Sequence, residues 1–141
     1  MTRIDFHSAV GDQIAYACRV TRKAHAAACN VVLVTPSAEI QVQLDRALWT
    51  FSNTDFLPHE CISTSSASAA SIVIARENCV SLPHHELLIN LCSNTPNYFA
   101  RFERLIEIID SDHSAVAAAR ARWLFYKDRG YRLTHFAVDK S

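Results

Sequence analysis

Two hydrophobic spacings take turns along this chain. Asn30-Val-Val-Leu-Val-Thr35 is a compact β-branched run bounded by Pro36, and it predicts a buried, parallel strand. Ser71-Ile-Val-Ile-Ala75 and Glu86-Leu-Leu-Ile-Asn-Leu-Cys92 read the same way, and Leu105-Ile106 with Ile108-Ile109 marks another. Between these runs the period lengthens. Asp12 can cap a helix reaching about Ala28, with Ile14, Ala17, Cys18 and Val20 near one face. Ser37 can cap a second to about Trp49, with Ile40, Leu44, Ala47 and Leu48 inward. A third helix starts at Asp112 or Ser114 and runs to Arg129, where Gly130 stops it. Arg3 to His7 and Tyr131 to Val138 alternate as strands, while the Ser- and Ala-rich stretch 63–71 reads as loop. Strands alternating with helices predict a single three-layer α/β/α domain over residues 1–141, built on a mainly parallel sheet.

Composition narrows the chemistry. At 141 residues the chain can bury roughly two thirds of its unfolded surface. Half of its residues are hydrophobic and only two are glycine, which leaves little material for a phosphate-cradling loop. GxGxxG, GxxxxGK[ST] and GxSxG are all missing, so a small α/β nucleotide-binding protein or enzyme is the alternative reading. His59-x-Cys61 and His84-His85 are the local groupings of metal-ligand types, and neither has the paired spacing zinc requires. The expectation is no metal, no cofactor and no catalytic site. Five cysteines (18, 29, 61, 79 and 92) without CxxC spacing read as free thiols, with Cys18 and Cys92 in apolar runs. With no signal-like start and no apolar run near the roughly 20 residues that span a bilayer, a cytoplasmic, membrane-free protein is expected.

The net charge of zero hides an asymmetry. From Arg120 onward there are six basic residues against two acidic ones, while the preceding 119 hold eight against twelve. A basic end on a neutral protein suits an acidic peptide better than a long nucleic-acid track. Direct single-stranded DNA binding, which needs a broad basic groove with stacking aromatics, is the weaker reading. On a helical wheel, residues 116–129 form two apolar arcs. Leu124, Ala117, Ala121, Phe125 and Ala118 make one, expected to face the sheet. Tyr126, Ala119, Trp123 and Val116 make the other, with Arg120 and Lys127 beside it and Arg122 and Arg129 in the opposite notch. An indole flanked by cations suits a chain end that carries an aromatic ring and a carboxylate. The competing reading puts Trp123 in the core with the cations solvated around it. A second aromatic corner, Ala47 to His59, holds Trp49, Phe51 and Phe56 around a short loop, and reads as core or as a docking surface.

These two places carry a resemblance. Leu48-Trp49, then Phe56-Leu57-Pro58-His59, then Ala119-Arg120-Ala-Arg122-Trp123-Leu-Phe-Tyr126-Lys127 and Gly130-Tyr131 resemble the chi subunit family of bacterial DNA polymerase III, in order and separation, across essentially the whole chain. The resemblance implies a non-catalytic clamp-loader accessory protein in DNA replication, with an α/β fold. It implies that one face binds the psi subunit, or a repair helicase in its place, through positions matched here by Trp49, Phe56 and Leu57. A separate site takes the acidic, phenylalanine-ended tail of single-stranded-DNA-binding protein, through Arg120 and Trp123, with Tyr126, Lys127 and Tyr131 as neighbours. DNA is then contacted mainly indirectly. The best-known members carry lysines where this chain has Val116 and Leu124, so the site here is less basic.

Overall fold

Four consecutive apolar residues, Val31 to Val34, cannot sit on a sheet with a wet face, and their strand, β2 (Val31–Thr35), is wholly buried, with the Thr35 hydroxyl donating to Ala75 O. The computed structural model describes residues 2–50, 58–62, 70–77 and 82–138. In it β1 (Arg3–Val10), β2, β3 (His59–Cys61), β4 (Ile72–Arg76), β5 (Leu87–Asn90), β6 (Arg104–Asp110) and β7 (Arg132–Ala137) form one sheet, in the order β3-β4-β2-β5-β6-β1-β7. Every pairing is parallel. Three of the connections run through helices: α1 (Gln13–Ala26) from β1 to β2, α2 (Ala38–Thr50) from β2 to β3 and α3 (His113–Asp128) from β6 to β7. Each starts at its expected cap: Asp12 accepts from Ala15 N, Ser37 from Ile40 N, and Asp112 from Ser114 N and Ala115 N. Past the end of α3, Gly130 takes φ 83°, the left-handed conformation a residue there needs.

Two cores lie back to back on the sheet. Leu33, Ile74, Ile89 and Ile108 pack under Cys18 of α1 and Leu44 of α2, and Phe6, Val34, Leu88 and Leu105 pack under α3. Tyr98, Phe99 and Phe102, at and around a 3-10 turn at Phe99–Arg101, fill the rest of the α3 side. The three-layer, single-sheet expectation therefore holds, and the sheet is parallel throughout. The first strand runs three residues past the expected His7. The backbone bulges between His7 and Val10, with Ala9 at φ 59°, and this carries the strand into the turn. Cys18 and Cys92 are buried free thiols, and burial pushes both pKa values up, that of Cys18 to about 11.

The expected orientation of α3 is overturned. Its buried residues are Ala119, Arg122 and Tyr126, whereas Leu124, assigned to the sheet side, is 58% exposed. The cause is on the strand beneath. Glu107 of β6 is fully buried and faces α3. It accepts from Tyr126 Oη at 2.6 Å and Asn90 Nδ2 at 2.9 Å, and Arg122 Nη2 stands 3.2 Å away. Arg122 Nη1 also donates to Ser93 O at 2.5 Å. Turning the helix to bury Leu124 gains about 1.5–3 kcal/mol of apolar burial. It also strips a buried carboxylate of a cation and a hydroxyl, which costs more. Burial still holds the Glu107 pKa above the usual carboxylate range, with Arg122, Tyr126 and Asn90 pulling against it.

Glu107→Ala leaves Arg122 buried without its carboxylate. It should destabilise the fold by about 3–5 kcal/mol in urea unfolding, with Glu107→Gln costing less because an amide still bonds Tyr126 and Asn90.

Candidate partner-binding groove

With its Arg122–Tyr126 edge locked onto β6, α3 turns its Val116–Trp123 edge toward β1 and β7. A groove of about 350 Å³ opens there. Phe6, Ile109 and Ala119 line its interior, Val116 and Trp123 its helix side, and the polar groups Ser8, Arg120 and His135 complete it. The alternation of β1 sends Ile4 and Phe6 to this face, and the parallel register places Leu133 beside Ile4 and His135 beside Phe6. Trp123 is half-buried, its ring edge-on to Phe6 with centroids 5.1 Å apart and to His135 at 6.4 Å. The imidazole Nε2 of His135 and the hydroxyl of Ser8 share a hydrogen bond of 2.6 Å. Arg120 is exposed, one turn before Trp123 on the same edge of the helix. An apolar slot with a guanidinium beside an indole can take an aromatic side chain and a carboxylate together.

The five residues expected around this site divide. Arg120 and Trp123 line the groove. Tyr126 does not reach the surface: it is fully buried, with its ring 5.9 Å from Phe6 and its hydroxyl on Glu107. Tyr131 packs edge-on against Phe99 at 5.3 Å, beyond the end of α3, and Lys127 is exposed one turn further along the helix than Trp123. Phe6, Ser8 and His135 escaped the sequence reading. The alternation in β7 pairs Leu133 with His135 on one face, but nothing local says that β7 lies beside β1.

The other aromatic corner is elsewhere. Trp49, at the end of α2, is 48% exposed, and its ring centroid is 4.4 Å from that of His59 on β3. His59 Nε2 is 2.9 Å from Asp45 Oδ1, so α2 and the edge strand are tied together beside the indole. Phe51, Phe56 and Leu57 lie outside the described residues. Trp49 is thus near the β3 edge on the α1–α2 side, while the groove is near the β7 edge under α3. The two aromatic places therefore lie near opposite edges of the sheet.

The profile of the family described as DNA polymerase III chi subunit, HolC, matches residues 1–134, which takes in Trp49, Arg120 and Trp123. The chain belongs to the DNA polymerase III chi subunit family. Among similar proteins, the DNA polymerase III subunit chi of Pseudomonas aeruginosa is 28% identical over 137 residues, covering 94% of each chain. That of Haemophilus influenzae is 26% identical over 104 residues, covering 73% of this chain and 72% of its own. That of Escherichia coli is 23% identical over 132 residues, covering 94% and 88%.

Elsewhere in this chi-family chain the chemistry is sparse. At the C-terminal ends of β5 and β6, where parallel sheets commonly hold nucleotides, a cleft of about 230 Å³ is lined by Asp110 and Asp112. The Asp112 carboxylate already caps the α3 N-terminus, and the Ser114 hydroxyl holds its pKa below the usual range. A phosphate there meets two aspartates, and the Arg122 guanidinium that also lines the cleft is already engaged by Glu107 and Ser93 O. Among the described residues no cluster of three or more metal-ligand types occurs, and no helix is long and apolar enough to cross a membrane.

Exposure separates the two groove residues as probes. Arg120→Ala should change stability by no more than about 0.5 kcal/mol, whereas Trp123→Ala, which strips Phe6 of its ring contact, should cost about 2–4 kcal/mol. Urea unfolding monitored by far-UV circular dichroism measures both.

Proposed function

We propose that this chain is a non-catalytic accessory subunit of the DNA polymerase III holoenzyme that acts as an adaptor in DNA replication. Its groove takes the acidic, phenylalanine-ended C-terminal tail of single-stranded-DNA-binding protein. Trp49, with Phe56 and Leu57 matched to it by sequence, holds the psi subunit and through it the clamp loader. A repair helicase competes for that same corner.

The observation that carries this reading is the pairing of exposed Arg120 with the half-buried indole of Trp123 at an apolar slot. A terminal phenylalanine fills the slot, burying ring against ring, while its α-carboxylate meets the guanidinium. Acidic residues further up the tail meet the diffuse positive field of Lys127, Arg129 and Arg132. Tyr126 takes no part in contact; it holds the helix in place from below, and Tyr131 braces the end of α3. Separation of the two docking places lets both partners bind together, as a coupler requires. DNA is reached through the partner whose tail is held.

In calorimetric titrations with an acidic peptide ending in phenylalanine, Arg120→Ala should weaken binding by about 1–3 kcal/mol, and wild-type affinity should fall as salt rises. Trp49→Ala should leave peptide affinity intact and weaken psi binding. Unchanged peptide affinity in Arg120→Ala refutes the assignment of the groove.

A further inference from the structure

The groove offers one permanent positive charge among its lining residues, Arg120, to a ligand that carries several carboxylates. Val116, a turn earlier, adds apolar surface and no charge. The remaining ionisable lining residue is His135, on β7, opposite the helix and immediately past the span matched by the family profile. We propose that His135 is the second anion-binding group of the groove, becoming charged as the acidic tail docks, so that capture strengthens as pH falls through the neutral range. This rests on the reading of the groove as the tail site.

The ring is held ready for that role. Nε2 is engaged by Ser8 Oγ at 2.6 Å, and the edge contact with Trp123 fixes the ring against the indole that the terminal phenylalanine would meet. An imidazolium donates from both nitrogens. Nε2–H then serves the Ser8 hydroxyl, and Nδ1–H, which has no protein partner among the described residues, is left for a carboxylate.

The groups facing His135 are few. From α3 come Arg120 and the indole, from β1 the Ser8 hydroxyl and the Phe6 ring, and from β6 the apolar Ile109. Asp5, paired with Arg104, and His7, bonded to Tyr16, project to the α1 side of the sheet. Burial lowers the pKa of His7, so it charges only at lower pH. A carboxylate lying between Arg120 and the His135 ring favours the imidazolium over the neutral ring, so that proton uptake and tail capture reinforce each other. Affinity gained this way is present where the docked ring carries its proton and is lost as pH rises.

The test is calorimetry of wild type, His135→Gln and Arg120→Ala with the acidic, phenylalanine-ended peptide, from about pH 6 to about pH 8.5, where its carboxylates stay ionised. Wild-type affinity should rise about fivefold from the alkaline to the acid end, the size of one partly exposed charge pair. His135→Gln, which keeps a hydrogen bond to Ser8, should bind with a flat profile and match wild type within about twofold at the alkaline end. An equally steep profile in His135→Gln, or a flat one in wild type, overturns the role of His135 while Arg120→Ala still weakens binding. If wild type fails to bind the peptide at every pH, or Arg120→Ala has no effect, the tail reading falls and His135 with it.

Discussion

A single buried carboxylate decides which side of α3 meets the world. Glu107 lies in the middle of a central strand, inaccessible to water, among residues that are otherwise apolar. Its charge is tolerable only because Arg122 and Tyr126, four residues apart on α3, and Asn90 on the neighbouring strand converge on it. That demand outweighs the modest gain available from burying Leu124. Once the helix is pinned by its Arg122–Tyr126 edge, Trp123 and Arg120 must lie along the side toward β1 and β7. The groove follows from a polar requirement inside the core.

The sheet order does the rest. Parallel strands need crossovers, and α1 and α2 cover the same face. Among the described residues the opposite face has α3, helped by the aromatic residues Tyr98, Phe99 and Phe102. One helix cannot cover both β6 and the edge strand β7, so an apolar strip of β1 and β7 remains open beside it. The other edge, at β3, carries the α2 end with Trp49. The two proposed docking places sit near opposite edges of one sheet, a geometry suited to holding two partners that do not touch.

Much of this was legible in the sequence, and the reason is local. Val31–Thr35 announces a buried, parallel strand, and Asp12, Ser37, Asp112 and Gly130 mark helix ends by their own side-chain or backbone chemistry. Arg120 and Trp123 were legible as a pair because they share one edge of a helix. The rotation of α3 was not. An alanine-rich helix has a weak apolar stripe, and the deciding residue, Glu107, is remote in sequence. Its position inside Leu105–Ile109 was the available clue: one carboxylate within a buried run needs a cation from somewhere. His135 and Ser8 stayed hidden for a different reason, since their meeting depends on β7 pairing with β1 across 127 positions of chain.

The chain holds two tryptophans, one at each proposed docking place, and this makes the central claim open to one direct measurement. In ¹H–¹⁵N NMR spectra of the labelled protein, each indole N–H gives its own signal, assignable with Trp49→Phe. On titration with the acidic, phenylalanine-ended peptide, the Trp123 indole signal should shift progressively to saturation while that of Trp49 stays in place. A shift confined to Trp49, or no shift in either, contradicts the account.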